Sequence, residues 1–205
     1  MRVSDIAISS DNKYLAITEI DASGINVKSQ IEVFSVEKAK TDAQNSKVAT
    51  YEFENNELIT NIKYQDKEKL ICMSKDKIVE FALDGSKEEL FNNESKKTTF
   101  QTIELANNVA EIEEKTSDLF SADSVVTIIS TENKNTSTYT AKAVTKEIYT
   151  SDNIIALNLG TEIEFINTGG WLAKRYKATQ EITNITLSSN MAGIIYRDRI
   201  EIINL

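Results

Sequence analysis

The sequence predicts an all-β fold: a β-propeller of about five four-stranded antiparallel blades, the last of them incomplete. Three observations predict it: a head motif that returns at blade-like intervals, short apolar segments after each return, and turn residues with no helical periodicity between them. The head reads aliphatic, Ser/Thr, Asp/Asn, Ile, any residue, then aliphatic or aromatic. It stands at 3–8 (VSDIAI), 59–64 (ITNIKY) and 182–187 (ITNITL). The last two start 123 residues apart, three times 41; a weaker copy, FQTIEL, begins at Phe100 and a degenerate one, VTKEIY, at Val144. Heads at 3, 59, 100, 144 and 182 are thus spaced by 56, 41, 44 and 38 residues. A period of roughly 40 to 45 residues built from short strands is that of a propeller blade. One domain, 1–205, follows, in repeat units of approximately 3–55, 56–97, 98–143, 144–179 and 180–205.

Each unit then supplies its strands in order. The second segments are YLAIT (14–18), KLICM (69–73), VAEI (109–112), IIALNL (154–159) and AGIIY (192–196). The third are IEVFSV (31–36), IVEFAL (78–83), VVTIIS (125–130), IEFINT (163–168) and IEIINL (200–205), three of which open on Ile-Glu. A fourth closes four units: VATYEF (48–53), EELF (88–91), TYTAKAV (138–144) and WLAKRYKA (171–178). All are short, rich in β-branched and aromatic residues, and bounded by turn chemistry such as SSDNK, LDGSK and NTGG. Nothing reads as a helix, a turn near Glu111 to Leu119 being the one weak candidate. Inner and middle strands, covered on both faces by neighbouring blades, are expected to be the most apolar. The twice-used ITNI is read as the inner strand of two blades, although duplication of any β-repeat would also produce it.

The units differ in regularity. The first is longer, through the polar stretches 21–30 and 38–47, which suit exposed loops. The third places the charged run Glu111 to Asp118 where other copies are apolar. The last stops at Leu205 on a third strand, so either the fifth blade runs with three strands or 1–205 is a fragment of a larger propeller. An open ring would expose apolar faces and invite self-association.

Composition excludes several function classes. The formal charge of −9 repels phosphate backbones and anionic lipid, and no basic cluster offsets it, which argues against nucleic acid. No apolar run approaches the roughly 18 residues of a membrane span, and no signal peptide opens the chain. With no histidine, Ser-His-Asp triads, Cys-His dyads and imidazole metal sites are ruled out within this chain. The lone Cys72, between Ile71 and Met73, excludes an internal disulfide and reads as a small buried hydrophobe.

The residues VSDIAISSDNKYLAITEID, followed by the hairpin SQIEVFSVEK, resemble the repeat of an uncharacterised propeller-like family of Gram-positive bacteria. The resemblance spans units one, two, four and five. It implies an amino-terminal membrane helix and leading blades outside 1–205, an introduced start at Met1, and an extracytoplasmic, membrane-tethered location. The Trp-Asp and Gly-His pairs of WD40 repeats are missing, and Gly169-Gly170-Trp171 is a single echo of the quinoprotein docking motif. No functional residue and no quinone is carried over.

Remaining chemistry is sparse. Paired carboxylates can hydrolyse glycosides without histidine, and Glu111, Glu113 and Glu114, or Glu162 and Glu164, are the available sets; as parts of amphipathic strands they read as solvated faces. Asp21 to Gly24 and Ser10-Asp11-Asn12 lack the ligand spacing of a calcium loop and read as turn formers. Trp171, Lys174, Arg175, Tyr176 and Lys177 read either as a basic aromatic strand that recruits a partner or glycan, or as a blade-closing strand with Trp171 packed between blades; the second reading leads. No catalytic, cofactor-binding or metal-binding residue is therefore assigned, and no cofactor. The sequence favours a non-enzymatic interaction or scaffold propeller serving another protein or an envelope component. The alternative is a carbohydrate- or small-ligand-binding propeller using carboxylates and Trp171.

Overall fold

The computed structural model describes residues 1–54, 56–74, 77–92, 100–105, 108–118, 121–151 and 153–205; for 100–107, 109 and 111–122 no side chain is described. The chain divides into two compact units, Met1–Lys96 and Lys97–Leu205.

Unit one holds two four-stranded antiparallel sheets. The first orders β1 (Arg2–Ile8), β2 (Tyr14–Asp21), β3 (Lys28–Ser35) and β4 (Lys47–Glu52); the second orders β5 (Ile59–Tyr64), β6 (Lys69–Ser74), β7 (Lys77–Ala82) and β8 (Lys87–Asn92). Alternation along the strands turns Ala16, Ile31, Val33 and Tyr51 of the first sheet onto Ile62, Leu70, Cys72 and Phe81 of the second. Tyr51 and Phe81 lie 4.4 Å apart by ring centroids, and the Tyr51 hydroxyl donates to the Ala82 carbonyl at 2.8 Å. Cys72 is buried in this layer, as expected, and burial pushes its thiol pKa well up.

The head motif proves to encode a local device. Val3 pairs with Glu19 and Asp5 with Thr18, leaving Ser4 as an extra residue; Ile59 pairs with Ser74 and Asn61 with Met73, leaving Thr60. The Ser/Thr position is thus a β-bulge, and its hydroxyl donates to the facing strand: Ser4 to Thr18 O at 3.4 Å, Thr60 to Met73 O at 3.2 Å. The Asp/Asn position accepts backbone protons. Asp5 takes the N–H of Ile6 at 2.9 Å and, across to the next sheet, that of Ile62 at 2.8 Å.

Unit two holds three antiparallel sheets. β9 (Phe100–Leu105), β10 (Asn108–Asp118), β11 (Ser121–Ser130) and β12 (Thr136–Thr140) form the third sheet, and β13 (Glu147–Ser151), β14 (Ile154–Asn158), β15 (Glu162–Asn167) and β16 (Leu172–Lys177) the fourth. β17 (Asn184–Leu187), β18 (Met191–Ile195) and β19 (Ile200–Asn204) form the fifth, which has three strands. Ile155, Leu157 and Ile166 pack toward Ala110, Val126 and Ile128 of the third sheet. Ala156, Ile163 and Phe165 on the opposite face pack toward Ile185, Ala192 and Ile194 of the fifth. The second ITNI keeps its role with one shift. Ile182 and Ile185 are buried like Ile59 and Ile62, but the ladder begins only at Asn184, which accepts the Ile185 N–H at 2.7 Å.

Several expectations are corrected. A helix, α1, spans Val36–Thr41, taking in the end of the segment read as a strand (31–36) and the start of the stretch read as loop (38–47); Ser35 caps it by accepting the Lys38 N–H, and it has no buried residue. Without an apolar stripe, its sequence carries no 3.6-residue period to detect. The charged run 111–118 is not a helical turn but the continuation of β10, paired with β11 from Glu111↔Thr127 to Asp118↔Ser121. The fourth head starts at Glu147 rather than Val144, and β12 ends at Thr140 although the apolar pattern runs on to Val144.

Candidate interaction site on the fourth sheet

The β15–β16 hairpin concentrates the residues that the sequence singled out. Its turn is held by Asn167, whose side-chain oxygen accepts the N–H groups of Gly169 and Trp171, both at 3.0 Å, while the Asn167 N–H donates to Trp171 O at 3.0 Å. Gly170 sits at φ 77°, and a Cβ there would fall 2.9 Å from the Thr138 carbonyl of β12. Only glycine fits that approach. Trp171 lies just outside β16 with 74% of its surface exposed, so the expectation of a tryptophan packed between blades is overturned. The reason lies in the register: Phe165 pairs with Lys174 and Ile166 with Leu172, so Ala173 is an extra residue and strict alternation from 171 to 177 fails.

Lys174 and Arg175 beside it are engaged within unit two. Arg175 Nε donates to Glu164 at 2.8 Å and lies 3.7 Å from Glu162, which also pairs with Lys142. Glu164 is 0% exposed, so it is no solvated face, contrary to its sequence reading. The Tyr139 phenol adjoins this pair, and burial first, then Glu164, pushes its pKa up to about 12. Tyr176 hydrogen-bonds to Glu201 and to the Tyr196 hydroxyl, the latter at 2.7 Å; burial and these partners raise its pKa. Glu201 in turn accepts from Arg199 Nε at 2.9 Å, and Tyr176 and Arg199 together hold its carboxyl below the usual glutamate value. Lys174 Nζ donates to the Asn204 carbonyl.

A rule missing from the sequence reading emerges. The fourth strands of the first and fourth sheets carry Tyr51 and Tyr176, whose phenols hydrogen-bond to the following sheet of the unit at Ala82 O and Glu201, and Tyr139 of the third sheet lies beside Glu164. The Ile-Glu pairs at 163 and 200 supply both of these glutamates.

Chemically, the cluster is a set of neutralised pairs. Glu164 is committed to Arg175 and sealed from solvent, which leaves it neither a general acid nor a nucleophile for a substrate. Glu111, Glu113 and Glu114 fall on β10, where side chains lie outside the described residues. Asp21 accepts both the N–H and the hydroxyl of Ser23, and Asp11 accepts the Ser9 hydroxyl and the Lys13 N–H, so both act as turn formers. What the hairpin offers outward is the Trp171 indole on a fixed turn, with Lys177 exposed farther along β16.

Residues 3–205 match a family described as "Family of unknown function (DUF5711)". The chain belongs to this family. A search of the curated proteins gives no match. Among solved structures, the chain resembles one in the S. cerevisiae assembly of dbp5 bound to nup159 and gle1 (9% identity, TM-score 0.55), covering 92% of this chain and 50% of that one. It also resembles the β-propeller domain of the Trilobed protease from Pyrococcus furiosus, whose topology is described as open velcro (8%, TM-score 0.54, covering 99% and 68%). Pyrococcus horikoshii acylaminoacyl peptidase is a third (10%, TM-score 0.59, covering 94% and 34%). The chain therefore spans half or less of the length of two of these relatives. At such identities the likeness carries the fold alone, and the fold is that of a β-propeller whose blades are the sheets described above.

Proposed function

We propose that this chain is a non-enzymatic interaction propeller that presents side chains on rigid blades to another protein. The observation that carries the reading is Trp171: an indole three-quarters exposed, on a hairpin fixed by Asn167 and Gly170. Tryptophan is the residue type most enriched in binding hot spots, and a preorganised turn reduces the ordering cost of binding. The absence of histidine and the sealing of Glu164 by Arg175 support a role without catalysis. All five units, 1–205, are proposed to act as one domain. We place that domain outside the bacterial cytoplasm in a membrane-tethered protein, following its resemblance to the Gram-positive family. The resemblance puts the tether of that proposal in a segment outside 1–205; among the described residues no helix is long and apolar enough to cross a membrane.

The test is affinity capture from the source organism, identification of the captured protein, and remeasurement with both purified components. Trp171→Ala is expected to weaken that binding at least tenfold while leaving the circular dichroism spectrum unchanged. The same exposed indole also suits the second reading, a carbohydrate-binding propeller, because an open aromatic face can stack on a sugar. A Trp171 fluorescence shift on titration with cell-wall oligosaccharides, with no protein captured, would replace the first reading by the second.

A further inference from the structure

The indole of Trp171 is seated more narrowly than its exposure conveys. A Cβ added at Gly169 would fall 3.0 Å from Trp171 Cδ1 and 3.4 Å from Nε1, so the pyrrole edge of the ring lies against the backbone at Gly169. An alanine there would push the indole off its seat. The turn beneath is braced too, since a Cβ at Gly170 would meet Ser137 Cβ at 3.3 Å as well as the Thr138 carbonyl. The ring is thus held in one place while most of it stays in solvent, and Leu172 beside it is 38% exposed.

What adjoins the ring narrows its ligand. The Asn167 side-chain oxygen is spent on the N–H groups of Gly169 and Trp171, Lys174 on the Asn204 carbonyl, and Arg175 on Glu164. The exposed Lys177 stands at the far end of β16. The hairpin therefore sets no free carboxylate, carboxamide or cation beside the indole. One donor is left over: among the described residues nothing accepts from the Trp171 Nε1–H. A buried or bound indole N–H ordinarily finds a partner.

A fixed aromatic surface with an unspent N–H and no free charge matches one mode of peptide recognition. A polyproline II segment lays its rings on an aromatic side chain, and its carbonyls, which make no internal hydrogen bonds, are open to a donor. A sugar fits less well, because its hydroxyls call for polar side chains that this hairpin has already committed. We propose that Trp171 docks an uncharged, proline-rich segment of a partner protein in the polyproline II conformation, with a proline ring stacked on the indole and a carbonyl of the segment accepting from Nε1–H. Residues 1–205 contain no proline, so a second copy of them cannot supply that segment. The inference rests on the interaction reading above and names the chemistry of the partner.

The test uses the full chain and capped octaproline, with a capped Gly-Ser repeat of equal length as the flexible control. Trp171 is the sole tryptophan and proline does not absorb where it is excited, so its emission reports on the site directly. Octaproline is expected to shift that emission saturably, and the control to need at least a tenfold higher concentration for the same shift. By anisotropy of fluorescein-labelled octaproline, Trp171→Ala should weaken binding at least tenfold. Trp171→Phe, which keeps a ring and loses the donor, and Gly169→Ala, which displaces the ring, should each weaken it at least threefold. No saturable shift, an equal response to both peptides, or undiminished binding by any of the three variants would overturn the proposal. So would emission that answers to cell-wall oligosaccharides and not to octaproline. If octaproline fails while Trp171-dependent capture of a protein persists, this inference falls alone.

Discussion

β15 and β19 share an Ile-Glu pair, at 163 and at 200, and lead opposite lives. Ile163 and Phe165 are wholly buried, whereas their counterparts Ile200 and Ile202 stand mostly in solvent. Their glutamates differ in the same way: Glu164 is sealed against Arg175, and Glu201 sits at the rim between Tyr176 and Arg199. What separates them is the presence of a fourth strand and packed sheets on either side. An aliphatic strand in a repeat fold acquires its burial from its neighbours, and its own sequence only makes that burial attainable.

The contrast can be broken hardest in the core. Phe165→Ala is expected to cost about 4 kcal/mol, since it combines lost transfer energy with an unfilled cavity; urea unfolding measures it. A loss below about 1 kcal/mol would mean that the fourth sheet is not packed as described. The next largest effect concerns the ion pairs. Arg175→Met leaves Glu164 buried without its cation and should cost about 2 kcal/mol, whereas Arg199→Met at the rim should cost less than about 1 kcal/mol. Adding Glu164→Gln to Arg175→Met should recover at least half of the loss. Equal costs for the two arginines would erase the distinction.

Acid sharpens it further. The folded-state pKa of Glu201 lies below the ordinary glutamate value of 4.5, so its contribution is complete above that pH and is lost as pH falls through the folded value. Glu201→Gln should therefore flatten the stability curve below pH 4.5 and leave its shape above pH 6 unchanged; a flattening on the alkaline side would refute the assignment. The smallest effect is at the open strand, where Ile202→Ala should change stability by no more than about 0.5 kcal/mol, read on the same urea curves.

The strand architecture was legible because period-two alternation and turn residues survive in every unit. ITNIKY and FQTIEL coincide with β5 and β9 end to end. What escaped has a physical reason in each case. Val36–Thr41 forms a helix by capping at Ser35 and buries nothing, so periodicity is silent. Trp171 was placed on a packed face by counting alternate residues, and one bulge at Ala173 is enough to invalidate the count. Glu164 was read as solvated because a strand seen alone has an inside and an outside, whereas one between two sheets has two insides. The cross-sheet tyrosines depend on residues some 25 positions apart, beyond any local pattern.

Cys72, the sole thiol, is shut inside the layer between the first and second sheets. A colourless alkylating reagent can reach it only in the moments when those sheets part, so the rate of modification clocks the breathing of unit one without any engineered probe. Because no second cysteine competes, every adduct counted by mass reports that single opening event.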